Sequence, residues 1–219
     1  MTAFDGIVDI YEENSFDFDD AWDHGVRAIF HQTGRGTYHT DGLYAARKKT
    51  ALKKGFLWGA YHLLSAEDND LQLDAFFALQ DPAEPGIALA LDWEKPDADH
   101  NTMSYRQLRM MAARFNARLK PHDVDRYPIL YSGNLFREED GIVAGDALLA
   151  KCPVWYNRMR DTPLGLPKRT WPRYTLWQFD NEDRENGGPP KNVLPGADWN
   201  RFDGSFDDLK RAWPFAGGH

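Results

Sequence analysis

The chain predicts an α/β fold: a single small, irregular (β/α) barrel of the TIM type, with eight strands and fewer than eight helices, occupying residues 1–219 as one domain. Three observations carry this. Short apolar runs alternate with helical periodicity through the first five units, the pattern of a parallel sheet. The run Ile87-Ala-Leu-Ala-Leu91 has no polar break, as expected of a strand buried on both faces. Polar and aromatic residues collect at the strand ends, where barrel enzymes place their active sites.

In order, residues 6–11 read as the first strand and Phe16 to His24 as a short helix, with Ser15 as its cap and Gly25 as its stop. Val26 to Gln32 is the second strand, followed by a polar, glycine-rich loop from Thr33 to Thr40 that lacks the Gly-Lys-Ser/Thr ending of a phosphate loop. Asp41 to Lys54 reads as a helix through Leu43, Ala46 and Thr50, and Phe56 to Leu64 as the third strand. A helix over 67–80 places Leu71, Ala75 and Leu79 on one stripe. The fourth strand ends at Asp92 and Glu94, before Pro96, which has no N–H to extend a ladder.

Thr102 or Ser104 caps the helix from Tyr105 to Leu119, whose inner face is Leu108, Met111, Ala112, Phe115 and Leu119, with Met110 as a further core filler. Tyr127 to Ser132 is strand five, 134–150 an irregular helical segment, Pro153 to Asn157 strand six and Tyr174 to Phe179 strand seven. Residues 186–192 form a turn-rich loop. Ala197 to Phe202 is a short eighth strand and Ser205 to Trp213 a closing helix.

The totals exclude several classes. A net charge of −8 argues against a nucleic-acid partner on electrostatic grounds. Cys152 is the single cysteine, so no internal disulfide forms. No stretch approaches 18 apolar residues, and the N-terminus lacks the basic and apolar regions of a signal peptide, so a target outside the cytoplasm implies export or release by another route. The eight Trp suit a packed core or a groove for the flat C–H faces of sugars.

Asp92 and Glu94 are two residues apart, so on a strand they share a side, with Cα atoms roughly 6.6 Å apart. Two carboxylates at the end of a buried strand repel, and burial penalises their charge. One is then held protonated near neutral pH while the other ionises, the division of labour that acid/base cleavage of an acetal requires. Asp9 interrupts the first strand's apolar run, and burial cost favours a site there. Strand eight, carrying Asp198, closes beside strand one. Acids on strands one, four and eight therefore meet in one ring with His31, Tyr61, Tyr131, Trp155 and Gln178 at the C-terminal strand ends.

In Gly6-Ile-Val-Asp9, Gly59-Ala-Tyr61-His62, Leu91-Asp92-Trp93-Glu94, Leu130-Tyr131-Ser132, Trp177-Gln178-Phe179 and Asp198-Trp-Asn200-Arg-Phe202-Asp-Gly204, the chain resembles the glycoside hydrolase family 25 lysozymes over nearly its whole length. The resemblance implies hydrolysis of the β-1,4 bond from N-acetylmuramic acid to N-acetylglucosamine in peptidoglycan. It implies Glu94 as general acid, with Asp92, Asp9 and Asp198 completing the acidic site. Asp92 then stabilises charge, orients a substrate group or acts as nucleophile, three roles the sequence leaves open. Tyr61, Tyr131, Trp155 and Gln178 are groove candidates that packing explains equally well.

The chain departs from the family after its first Asp, where Ile10-Tyr11-Glu12-Glu13 stands for the usual Val-Ser. It departs again in the second strand, where His31-Gln32-Thr33-Gly34-Arg35-Gly36 replaces a Lys-Ala-Thr-Glu-Gly-like segment. The partner expected is the peptidoglycan glycan strand, acted on by a monomer without cofactor or metal. Rival readings are a glycan-binding barrel that has lost turnover, a hydrolase of chitin or its oligomers, and a metal-dependent hydrolase using His31 and His62. The last lacks any His-X-His or His-Glu-X-X-His spacing.

Overall fold

The computed structural model describes residues 3–122, 126–180 and 196–216. Strands β1 (Phe4–Ile10), β2 (Ala28–Arg35), β3 (His39–Thr40), β4 (Leu57–Leu63), β5 (Ile87–Asp92), β6 (Ile129–Ser132), β7 (Val154–Asn157), β8 (Leu176–Asp180) and β9 (Asp198–Phe202) form one sheet. All but the two-residue β3 close a barrel of eight, since β1 pairs with both β2 and β9. Seven α-helices accompany it among the described residues, of which α2 (Tyr44–Lys54), α3 (Asn69–Leu79) and α4 (Tyr105–Leu119) are the long ones. The expected barrel is the observed one. No described helix is long and apolar enough to cross a membrane.

Strand alternation sorts the core into two layers. Ile7, Ala28, Phe30, Ala88, Ala90, Ile129, Trp155 and Leu176 fill the barrel interior. Their neighbours Val8, Ile29, Trp58, Leu89, Leu91 and Leu130 pack outward against the helices with Phe76, Phe115 and Met111. Interior residues are small where the ring of Phe30 lies across the barrel: a Cβ on Gly59 would stand 2.3 Å from it. The lower end is stoppered by the C-terminal segment, where Trp213 packs 5.3 Å from Phe30 and donates from Nε1 to Gly86 O at 2.9 Å. With that end closed, the opposite mouth is where the interior polar residues meet solvent.

Several local expectations are corrected. The strand holding Asp198 runs antiparallel to both neighbours, β8 and β1. Asp198 is therefore at the start of its strand, not the end. Reversal of direction is what brings it level with the ends of the parallel strands, opposite Asp9. The loop expected from Thr33 to Thr40 is largely sheet, because β2 continues to Arg35 and turns back through β3. Gly34 makes this possible, since a Cβ there would lie 2.3 Å from His39 O.

Helix α1 (Phe18–Asp23) is capped by Asp17, whose carboxylate accepts from the N–H groups of Asp19 and Asp20, and not by Ser15. On α3 the inward residues are Asn69, Gln72, Leu73 and Phe76, while Leu71 is 58% exposed. Inward polarity is satisfied locally: Gln72 donates to Ser65 O and accepts from Ser65 N. On α2 the buried residues are Tyr44 and Ala51, and Leu43 faces outward. Met110 is likewise 41% exposed and is no core filler, whereas Leu108, Met111, Ala112, Phe115 and Leu119 form the inner face of α4 as expected. Ser104 caps α4 in a capping box with Gln107. The loop expected at 186–192 lies outside the described residues.

Candidate active site

A cleft of about 400 Å³ opens at the mouth. Its walls include Asp9, Tyr61, Asp92, Glu94, Tyr131, Trp155, Gln178 and Asp198, so of the ring expected from sequence all but His31 lies in one place. Register explains why. Asp9, Asp92, Tyr131 and Gln178 follow the interior residues Ile7, Ala90, Ile129 and Leu176 by two, the period that keeps a side chain on one face, and Tyr61 and Trp155 belong to the interior set themselves. Strand β5 stops at Asp92, but Trp93 N–H still bonds Tyr131 O at 2.9 Å, so the alternation runs on. Trp93 turns outward, donating from Nε1 to Met103 O at 2.7 Å, and Glu94 turns back over the cleft.

The acids sit in a hydrogen-bonded frame. Gln178, 1% exposed, donates from Nε2 to Asp9 Oδ1 and Oδ2 at 3.0 and 3.2 Å and to Asp198 Oδ2 at 3.2 Å. Its Oε1 accepts from Tyr131 Oη and Asn157 Nδ2, each at 2.8 Å. Asn200 donates to Asp9 Oδ1 at 2.7 Å and accepts from Trp155 Nε1 at 2.6 Å. Trp155 is thus the floor of the cleft, packed on Phe30, Tyr61 and Tyr131. Asp92 is different: it is 5% exposed, and its Oδ1 is buried without a partner among the described residues.

Electrostatics follow from this burial. Desolvation, joined by the charge of Asp9, raises the Glu94 carboxyl from 4.5 to about 7. Asp9 rises from 3.8 to about 6 by desolvation, held down from a higher value by its bonds from Asn200 and Gln178. Asp92 is raised well above the usual carboxylate range by burial, then by Glu94 and Asp9. The cluster shares protons near neutral pH and titrates as a unit. Tyr61 and Tyr131, also raised by burial and by these acids, remain neutral hydroxyls.

Asn200 and Asn157 carry no role in the sequence reading, yet each is two residues along a strand from an assigned one, Asp198 and Trp155, and that spacing is the signal for them. Gln32 and Arg35, from the segment that departs from the family pattern, also line the cleft. His31 and His62 do not. They face the helix layer, where His31 stacks on Trp58 at 5.7 Å and His62 on Phe76 at 5.6 Å. Burial lowers both to about 4, and both stay neutral. His31 donates from Nδ1 to Gln32 O and accepts from Arg47, and His62 bonds Gly36 O. Neither is available as a cleft ligand.

A small (β/α) barrel with paired, proton-sharing carboxylates over an aromatic floor at its mouth defines a glycoside hydrolase of the barrel class. The sequence pattern of glycosyl hydrolases family 25 matches residues 8–188. The chain belongs to that family. In structure it is similar to a muramidase from Trichobolus zukalii, with 24% identity, a TM-score of 0.74, and coverage of 93% of this chain and 95% of that one. It is similar to the lysozyme from Streptomyces coelicolor, at 21% identity and TM-score 0.73, covering 99% and 100% of the two chains. It also resembles a family GH25 lysozyme from Aspergillus fumigatus, at 20% identity and TM-score 0.75, covering 96% and 98%. No curated protein matches it in sequence. Family membership makes the chain a glycoside hydrolase, and peptidoglycan hydrolysis of the muramidase type is the activity that the family supports.

Proposed function

We propose that this chain cleaves the β-1,4 bond from N-acetylmuramic acid to N-acetylglucosamine in peptidoglycan, with Glu94 as the general acid. The observation that carries the reading is the pairing of a Glu94 carboxyl raised to about 7 with a deeper Asp92 whose Oδ1 is buried and unpartnered. Glu94 is protonated in part at neutral pH, so it can give its proton to the leaving glycosidic oxygen and afterwards take one from water.

Asp92 then holds the 2-acetamido group of the sugar. The amide N–H supplies the partner that Oδ1 lacks and favours the ionised carboxylate, while the amide carbonyl oxygen attacks the anomeric carbon. Substrate assistance of this kind leaves Asp92 as orienter rather than nucleophile. Asp9 acts through its charge on Glu94, and Asn200 and Gln178 fix its position. Asp198 shares the Gln178 amide with Asp9. Tyr61 and Tyr131 border the sugar, above Trp155. The enzyme works on the cell wall as a monomer.

Purified peptidoglycan and chitin are the substrates that test this, with mass spectrometry of the reducing ends released. Fragments ending in N-acetylmuramic acid, and none from chitin, are expected. Fragments ending in N-acetylglucosamine, or release from chitin alone, would replace the muramidase reading. Tight binding without release would make the barrel a glycan-binding protein.

A further inference from the structure

The β1–β2 wall of the cleft has a different chemistry from its acid cluster. Among the described lining residues the cations are Arg35 and Lys95. Lys95 is exposed, whereas Arg35 is held. It ends β2, on the hairpin that Gly34 allows to close. Its Nε donates to Gln32 Oε1 at 3.1 Å and its Nη1 to Asp97 Oδ1 and Oδ2 at 3.2 and 3.3 Å. The guanidinium carbon stands 5.6 Å from the centre of the Tyr11 ring. Among the described residues nothing accepts from Nη2.

We propose that Arg35 is the specificity determinant of this cleft, selecting glycans that carry a carboxylate beside the cleaved bond. The inference rests on the muramidase reading above. The acid cluster of Asp9, Asp92, Glu94 and Asp198 repels an anionic substituent, so a carboxylate-bearing sugar needs a fixed cation at the rim. A guanidinium suits this better than an ammonium: it keeps its charge, and its planar fork matches a carboxylate. Asp97 does not block the role. Its side chain is 50% exposed, and an ion pair so open to water is weak enough to share or yield its partner.

A neutral N-acetylglucosamine oligomer offers Arg35 no such group, so the residue discriminates by what the wrong substrate lacks. The carboxylate has two sources in a cell wall: the lactyl group of muramic acid once its peptide is removed, and the peptide stem itself.

Calorimetric binding in a Glu94→Gln background tests the proposal without turnover. The ligands are a peptide-free muramic-acid glycan, the same glycan with stems, and a neutral N-acetylglucosamine oligomer of equal length. Arg35→Gln is expected to weaken binding of a carboxylate ligand about tenfold to a hundredfold, the range of a charge-assisted hydrogen bond, and to leave the neutral oligomer within about twofold. The ligand that loses affinity identifies the source. Asp97→Asn is expected to tighten the same ligand by freeing the guanidinium. Equal losses on charged and neutral ligands, no loss on either, absence of binding, or weakening by Asp97→Asn would each overturn the proposal. The muramidase reading fails separately, if the protein with Glu94 intact releases no reducing ends from peptidoglycan.

Discussion

The proposed acid role of Glu94 sets activity and stability against each other. Its folded value of about 7 lies above the ordinary 4.5, so between those values the folded state binds more protons than the unfolded one. Stability from this group is therefore fully present below pH 4.5 and is lost as pH rises through 7. The full shift corresponds to roughly 3 kcal/mol at pH 8. Glu94→Gln is expected to raise Tm by several degrees at pH 8 and by little at pH 4, while costing about 10²–10⁴ in kcat. Thermal unfolding at the two pH values, beside the rate, checks this; a Tm unchanged at pH 8 would mean that Glu94 is solvated.

The acids were legible in the sequence because charge inside an apolar strand is costly and so conspicuous. Asn200, Asn157 and Gln32 were not. A neutral amide on a strand is unremarkable until its partners are known, and those partners lie up to 191 residues away, as between Asn200 and Asp9.

At the scale of the element, existence and type were readable except where β2 runs on and turns back through β3, and phase was right on α4 but not on α2 and α3. Helices α2 and α3 show the reason. Each offers an apolar stripe and a competing one in which polar residues bond to loop backbone, as Gln72 does to Ser65. Periodicity in hydrophobicity cannot rank the second above the first. The structure predicts that Leu71→Gln changes stability by less than about 0.5 kcal/mol. Leu73→Ala is expected to cost about 2–5 kcal/mol. Denaturant titration of both variants decides between the two phases. The direction of β9 was hidden for a similar reason: five residues fit either sense, and the antiparallel one follows from its pairing with β8 and β1.

For the whole molecule, the count of strands and their closure followed from alternation along the chain. The stopper at the lower end did not, because Trp213 reads only as the last residue of a closing helix and nothing in the sequence pattern assigns Phe215 a place. In the barrel they cap the interior beneath Phe30, and the acid cleft lies at the other mouth. Trp213→Ala is expected to cost about 3–5 kcal/mol by opening a cavity under Phe30. Its catalytic pH profile, measured well below the lowered Tm, is expected to be unchanged. A displaced profile would show that the plug shapes the site.

The proposed role of Glu94 as an acid depends on burial and the charge of Asp9 keeping its proton on it. The most direct measurement is the pH dependence of peptidoglycan cleavage by the wild type and by Asp9→Asn. The wild type is expected to lose activity as pH rises through about 7. In Asp9→Asn that limb moves to lower pH, by part of the shift only, since desolvation is the larger cause and remains. A limb that stays in place, or moves upward, would contradict the account.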